Sequence, residues 1–153
     1  MKLKHTNFQI ALEIIAILII LGMIIFIYIR WNQIPQQIPI HYNAWGEVDN
    51  WGTKGDILFI PAIAVLIYAF MTGMSFFPQT WNIPVVITDE NKEVVYHNTN
   101  NLFLLIKVEI LSLFCLIVYY VVIGQNLPDI IVPGFLIIMF GTVIFFYLRI
   151  TRL

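Results

Sequence analysis

The chain has 153 residues, 60% hydrophobic and only 11% charged, with a mean hydropathy of +0.87. An ordinary soluble domain is about 45–50% apolar and about 25% charged, so a soluble protein of this length could not cover so much apolar surface. Eight Lys and Arg against nine Asp and Glu leave a formal charge of −1. Composition therefore excludes a water-soluble enzyme, a disordered regulator and a nucleic-acid binder, since no basic field is present to hold a phosphate backbone. What remains is an all-α integral membrane protein, read as one membrane domain over residues 1–153.

In chain order, four apolar runs predict four transmembrane helices, over residues 8–29, 57–77, 102–123 and 130–148. Each approaches the 20 residues that cross about 30 Å of hydrocarbon. Helices are expected because backbone groups in lipid must be satisfied within the segment. The first run holds 22 residues and ends at Arg30-Trp31 with no small-x-small site; it reads as a retained span rather than a cleaved signal. Lys2, Lys4, Lys92, Arg149 and Arg152 fall on one side of the membrane, Arg30 and Lys54 on the other. The positive-inside rule then puts both termini in the cytoplasm and the loop over 31–56 outside, in a bacterial cytoplasmic membrane.

The first span carries Glu13, and the third carries Lys107 and Glu109. Charges are costly at the bilayer centre. Glu13 and Lys107 each sit five residues in from the same face, a depth of about 7.5 Å. Equal depth predicts an ion pair between the two helices. Glu109 is about 200° around the helix from Lys107, so it must point elsewhere, protonated or snorkelling toward the inner headgroups. An interhelical clasp is the preferred reading of these three residues; a proton or ion site is the alternative.

The outer loop over 31–56 is the informative stretch. Ile34-Pro35 and Ile38-Pro39 force extended backbone. Ile40–Asn43 reads as a strand, Ala44–Glu47 as a turn, and Val48–Trp51 as a returning strand. Trp31, Trp45 and Trp51 suit the headgroup level, and Thr53 with Asp56 forms a capping box for the second span. Two registers remain open. One pairs His41 with Asn50 and sends Asp49 to the opposite face; the other pairs His41 with Trp51 and gathers His41, Asn43 and Asp49 on one face. His41, Glu47 and Asp49 are candidate metal or acid–base groups, but one His with carboxylates makes a poor zinc site. Neither a metal nor a cofactor is expected, and no residue is assigned as catalytic. Asn43, Gly46 and Asp49 read first as turn residues that hold the loop.

The run Ile38-Pro39-Ile40-His41-Tyr42-Asn43, followed by Gly46, Asp49, Gly52 and Lys54, resembles the signature of a bacterial membrane domain of unknown function. That domain forms the N-terminal part of SdpI-type immunity proteins. The resemblance covers about 25 residues. It implies membership of that N-terminal domain family, whose SdpI-type proteins carry further spans that bind or neutralise a secreted toxin and relay a signal.

The inner loop over 78–101 is expected to form a β-hairpin, with Val85–Thr88 and Glu93–Tyr96 as strands. Asn98, Thr99, Asn100 and Asn101 are candidate caps of the third span. Ala62, Ala69 and Gly73, and likewise Gly134 and Gly141, read as stripes for close helix contact, within the bundle or between copies. Cys115 lies mid-span as a small hydrophobe. No nucleotide-binding glycine loop, G-x-S-x-G, H-E-x-x-H or CxxC occurs.

The expected function is non-enzymatic: recognition of a peptide, a lipid or a membrane partner by the outer loop, through His41, Asn43, Gly46, Asp49 and Lys54. The expected partners are membrane lipid, a secreted peptide or another membrane protein, with a homo-oligomer allowed. One alternative is a small transporter or proton-conducting protein using Glu13, Lys107 and Glu109. Another is an interfacial enzyme using His41 and Asp49.

Overall fold

A computed structural model describes residues 4–43 and 45–152. The basic residue Lys2 and the turn residue Ala44, used above, lie outside the described residues. The four expected spans fall on four helices: α1 (Asn7–Arg30), α2 (Phe59–Ser75), α3 (Lys92–Ile123) and α4 (Ile131–Ile150). With the 3-10 turn Lys54–Leu58 leading into α2, each is long and apolar enough to cross a membrane. The chain is a multi-pass membrane protein with a small antiparallel sheet, β1 (Gln37–Tyr42) and β2 (Val48–Thr53), between α1 and α2.

The ends of α1 explain where it starts and which face it buries. Thr6 Oγ1 accepts from Gln9 N at 3.2 Å, and Gln9 Oε1 accepts from Thr6 N at 3.1 Å, a capping box that satisfies two free amides. Leu12, Ala16, Ile20, Met23 and Ile27 are buried; their spacing places them on one stripe. That stripe packs on Leu111, Val118 and Val122 of α3. Pro61 and Pro133 each occupy the third position of a helix, where the missing amide has no intrahelical acceptor to lose.

α3 is the central helix. It contacts α1, α2 and α4, whereas α4 packs chiefly on α3. Ile137, Phe140, Ile144 and Phe145 of α4 stay exposed, a lipid-facing surface in a bilayer. The hairpin and the α3–α4 turn share one end of the molecule. Gly124 closes α3 there in the left-handed conformation, φ +65°, which costs glycine little.

Three expectations are corrected. First, residues 78–101 form no β-hairpin: Glu93–Tyr96 belongs to α3, which is 32 residues long. Thr88 N donates to Asn91 Oδ1 at 2.8 Å, Asn91 N to Thr88 Oγ1 at 3.3 Å, and Asn91 Nδ2 to Val86 O at 3.1 Å. These bonds organise the helix start. Val95 then buries against Phe146 and Ile150 of α4. Tertiary burial outweighs the strand propensity of Val94-Val95-Tyr96. Second, Asn98–Asn101 lie inside α3 rather than capping it; Asn98 Nδ2 and Thr99 Oγ1 donate back to the Val94 and Val95 carbonyls. At 1.5 Å per residue α3 runs about 48 Å, so its first turns project beyond the hydrocarbon. Third, the small-residue stripes make no close contact among the described residues, which removes contact within the bundle and leaves contact between copies as the expectation. A Cβ on Gly73, Gly134 or Gly141 would meet nothing within 4 Å, and Ala62 and Ala69 are exposed.

Candidate functional site

The hairpin follows neither uniform register. Gln37, Ile38 and Pro39 pair with Thr53, Gly52 and Trp51, then His41 pairs with Asn50 and Tyr42 with Val48. The pairing skips Ile40 on β1 and Asp49 on β2, two irregularities that cancel in length. Such bulges re-aim side chains. Here the result is that His41 Nδ1 lies 2.5 Å from Asp49 Oδ1, although His41 sits opposite Asn50. A carboxylate only accepts, so Nδ1 carries the proton and donates; in the neutral ring Nε2 is then the acceptor. The pair is solvent-accessible, with His41 66% and Asp49 44% exposed.

Asn43 does not join that pair. Its Oδ1 accepts from Trp45 N at 2.9 Å and Glu47 N at 3.1 Å, and its Nδ2 donates to Glu47 Oε2 at 2.9 Å. It therefore holds the turn, as short polar side chains do. Gly46 has φ +80°, and a Cβ there would lie 2.5 Å from Leu127 O. Turn conformation and close approach both demand glycine. The turn is thereby seated on buried Leu127, in the connection between α3 and α4.

Lys54 also lies apart from His41. Its Nζ stands 4.6 Å from the Trp31 ring centroid, a cation–π contact, and its amide donates to Gln36 O at 2.9 Å. Thr53 N donates to Asp56 Oδ2 at 2.6 Å, so the base of the hairpin is tied to the turn that begins α2. Gly52 belongs to the same junction. A Cβ on it would lie 2.5 Å from both Asp56 Oδ2 and Ile40 Cγ2, a steric role that its spacing in the sequence did not reveal. Of the five loop residues, the fold thus brings His41 and Asp49 together and gives Asn43, Gly46 and Lys54 anchoring positions.

His41 and Tyr42 form one wall of an apolar groove of about 270 Å³. Ile60 and Ile63 of α2, Phe114 and Ile117 of α3, and Leu127 line the rest. Tyr42 Oη is buried without a partner among the described residues, and burial pushes the phenol up to about 12. His41, held from behind by Asp49, thus lines an otherwise apolar cleft that reaches between the helices.

The intramembrane charges separate into two groups. Lys107, 1% exposed, donates from Nζ to Glu13 Oε1 at 2.7 Å and to Thr72 Oγ1 at 2.9 Å. The same Nζ lies 4.7 Å from the Tyr68 ring centroid. One ammonium therefore joins α1, α2 and α3, which suits a buried charge that must be fully coordinated. Glu109 faces α4, where its Oε1 accepts from Thr142 Oγ1 at 2.6 Å. A polar contact that the sequence did not suggest lies nearer the termini: Gln9 Nε2 donates to Asn101 Oδ1 at 2.8 Å, joining the start of α1 to α3.

Residues 18–65 match the family described as "Domain of unknown function (DUF1648)". That stretch holds the second half of α1, the hairpin and the start of α2. An uncharacterized protein of Archaeoglobus fulgidus is 33% identical over 64 residues, which cover 37% of this chain and 35% of the relative. The matched stretch thus spans about a third of that relative's length. No solved structure matches the chain.

Proposed function

We propose that this membrane protein recognises an amphipathic molecule at the hairpin end, non-enzymatically. The apolar part lies in the groove between α2 and α3, and the polar part meets His41 and Asp49. The single observation that carries the reading is that His41, which lines an apolar groove, is held in orientation by Asp49. Ligand sites of this kind are mostly apolar, with a few fixed polar groups that set orientation. Asp49 supplies that fixing by holding the His41 ring with Nε2 free to accept.

The excess of Lys and Arg at the opposite end supports an outward-facing hairpin, with both termini cytoplasmic in a bacterial cytoplasmic membrane. The likeness of Pro39, His41, Asn43, Gly46, Asp49 and Lys54 to the SdpI-type pattern favours a secreted hydrophobic peptide as the occupant. A membrane lipid is the other occupant with the same chemistry.

Native mass spectrometry of the protein extracted into mild detergent tests the reading. Wild type is expected to carry a discrete adduct that disappears in both Asp49→Ala and Ile117→Trp, the second of which fills the groove. An identical adduct pattern in all three proteins would contradict the proposal. Survival of a host under peptide-toxin challenge separates the occupants. Loss of protection in His41→Ala supports a peptide, and unchanged survival removes that occupant.

A further inference from the structure

A second cavity lies between α3 and α4, next to the hairpin groove, with Leu113 lining both. It has a volume of about 450 Å³ and is enclosed by Val108, Glu109, Ser112 and Leu116 of α3 with Gly134 and Phe135 of α4. It exists because α4 touches little besides α3 and because Gly134 fills none of the space beside it. Leu116 and Ile138 on its rim are 45% and 60% exposed, so the cavity opens on the lipid-facing surface.

Glu109 is the one ionisable residue among those that line it. Thr142 satisfies Oε1, while Oε2 is shielded from solvent and has no hydrogen-bond partner among the described residues. The contrast with Glu13 is informative. Glu13 has its cation, Lys107, inside the chain; Glu109 has no Lys, Arg or His within ion-pair distance among the described residues. Lys107 is committed to the far side of α3. An apolar cavity holding one carboxyl with an unused oxygen is complementary to a molecule with an apolar body and a charged donor.

We propose that the α3–α4 cavity binds a lipophilic amine, its ammonium donating to Glu109 Oε2 and its apolar body lying along Leu116 and Phe135. The site shares only Leu113 with the hairpin groove, and neither reading depends on the other. Other polar ligands fit less well: a carboxylic acid adds a second carboxyl and no cation, and an alcohol donates a hydrogen bond without bringing a positive charge.

The test uses the intact protein in lipid nanodiscs, titrated with nonylamine and with nonanol, followed by native mass spectrometry and thermal unfolding. A cationic donor to a carboxyl in apolar surroundings is worth about tenfold in affinity over an uncharged donor to the same oxygen. Nonylamine is therefore expected to bind wild type about tenfold more tightly than nonanol and to raise its unfolding midpoint. Glu109→Gln keeps an acceptor for Thr142 and is expected to bind the two compounds alike. Gly134→Leu, whose side chain enters space with no neighbour within 4 Å of its Cβ, is expected to exclude both. Equal binding of amine and alcohol by wild type means apolar filling alone and overturns the proposal. So does a preference for the amine over the alcohol that survives Glu109→Gln, or amine binding that survives Gly134→Leu. Should Glu109→Gln fail to fold, the amine-to-alcohol ratio in wild type and the loss in Gly134→Leu decide.

Discussion

Gly46 and Leu127 meet so closely that a Cβ on the glycine would lie 2.5 Å from the leucine carbonyl oxygen. The contact joins the hairpin turn to the connection between α3 and α4. The groove beneath β1 therefore has its roof fixed at both ends: at this turn, and at the base where Asp56 caps Thr53. Gly46→Ala brings both the clash and a left-handed conformation that costs a non-glycine residue about 1–2 kcal/mol. Thermal unfolding in detergent is expected to show a lowered midpoint, with faster hydrogen exchange confined to 37–53. An unchanged midpoint with unchanged exchange would mean that the turn is not seated on Leu127.

The Glu13–Lys107 pair is expected to behave as a buried couple whose members cannot be removed singly. Glu13→Leu leaves an uncompensated ammonium, and Lys107→Met an uncompensated carboxylate. Each single change is expected to cost about 3–5 kcal/mol, while the double change, apolar on both sides, costs clearly less than either. A double-mutant cycle on unfolding in mixed micelles reads this directly. Additive losses would place the two side chains apart.

Tyr42 has a buried hydroxyl with no partner among the described residues, and its phenol is pushed up to about 12 by burial. The unfolded phenol titrates near 10. Between about 10 and 12 the folded state holds a proton that the unfolded state has released. Stability attributable to this group is therefore unaffected at neutral pH and falls as pH rises above about 10. Tyr42→Phe orphans no partner, so it is expected to change neutral-pH stability by less than about 1 kcal/mol. It should also flatten the alkaline loss. Ultraviolet titration of phenolate in the two proteins checks both points.

The helix boundary at Lys92 carries another expectation. Thr88 and Asn91 exchange hydrogen bonds just before α3. Thr88→Ala is expected to cost about 1 kcal/mol, in the range of lost caps, and to fray Lys92–Val95 in hydrogen exchange without touching the membrane-spanning turns. Protection unchanged over Lys92–Val95 would show that packing of Val95 on Phe146 and Ile150 is sufficient alone.

The four spans were legible because lipid imposes length and apolarity on a helix regardless of its neighbours. Glu13 and Lys107 were legible as well, since depth along a span follows from residue number. The inner segment was not. Val85–Thr88 and Glu93–Tyr96 carry strand propensity, but Val95 is buried on α4, a contact no local pattern contains. The hairpin was legible as a hairpin, but not its register. Two compensating irregularities bring Asp49 to His41, and alternation of side chains assumes that none occur. The α3–α4 cavity was hidden for a related reason. Gly134 and Gly141 have the spacing of a packing stripe, and only the placement of α4 leaves them unfilled.

The most direct test of the central claim is photocrosslinking in intact membranes. Benzoylphenylalanine is placed at Ile117 within the groove, and at Leu66, which is 68% exposed on α2, as the lipid-facing control. The expected result is one defined adduct at position 117 that is lost when Asp49→Ala is added. Position 66 should give a spread of bulk-lipid adducts indifferent to that change. The same spread at both positions, unaffected by Asp49→Ala, would contradict recognition of an amphipathic ligand at this site.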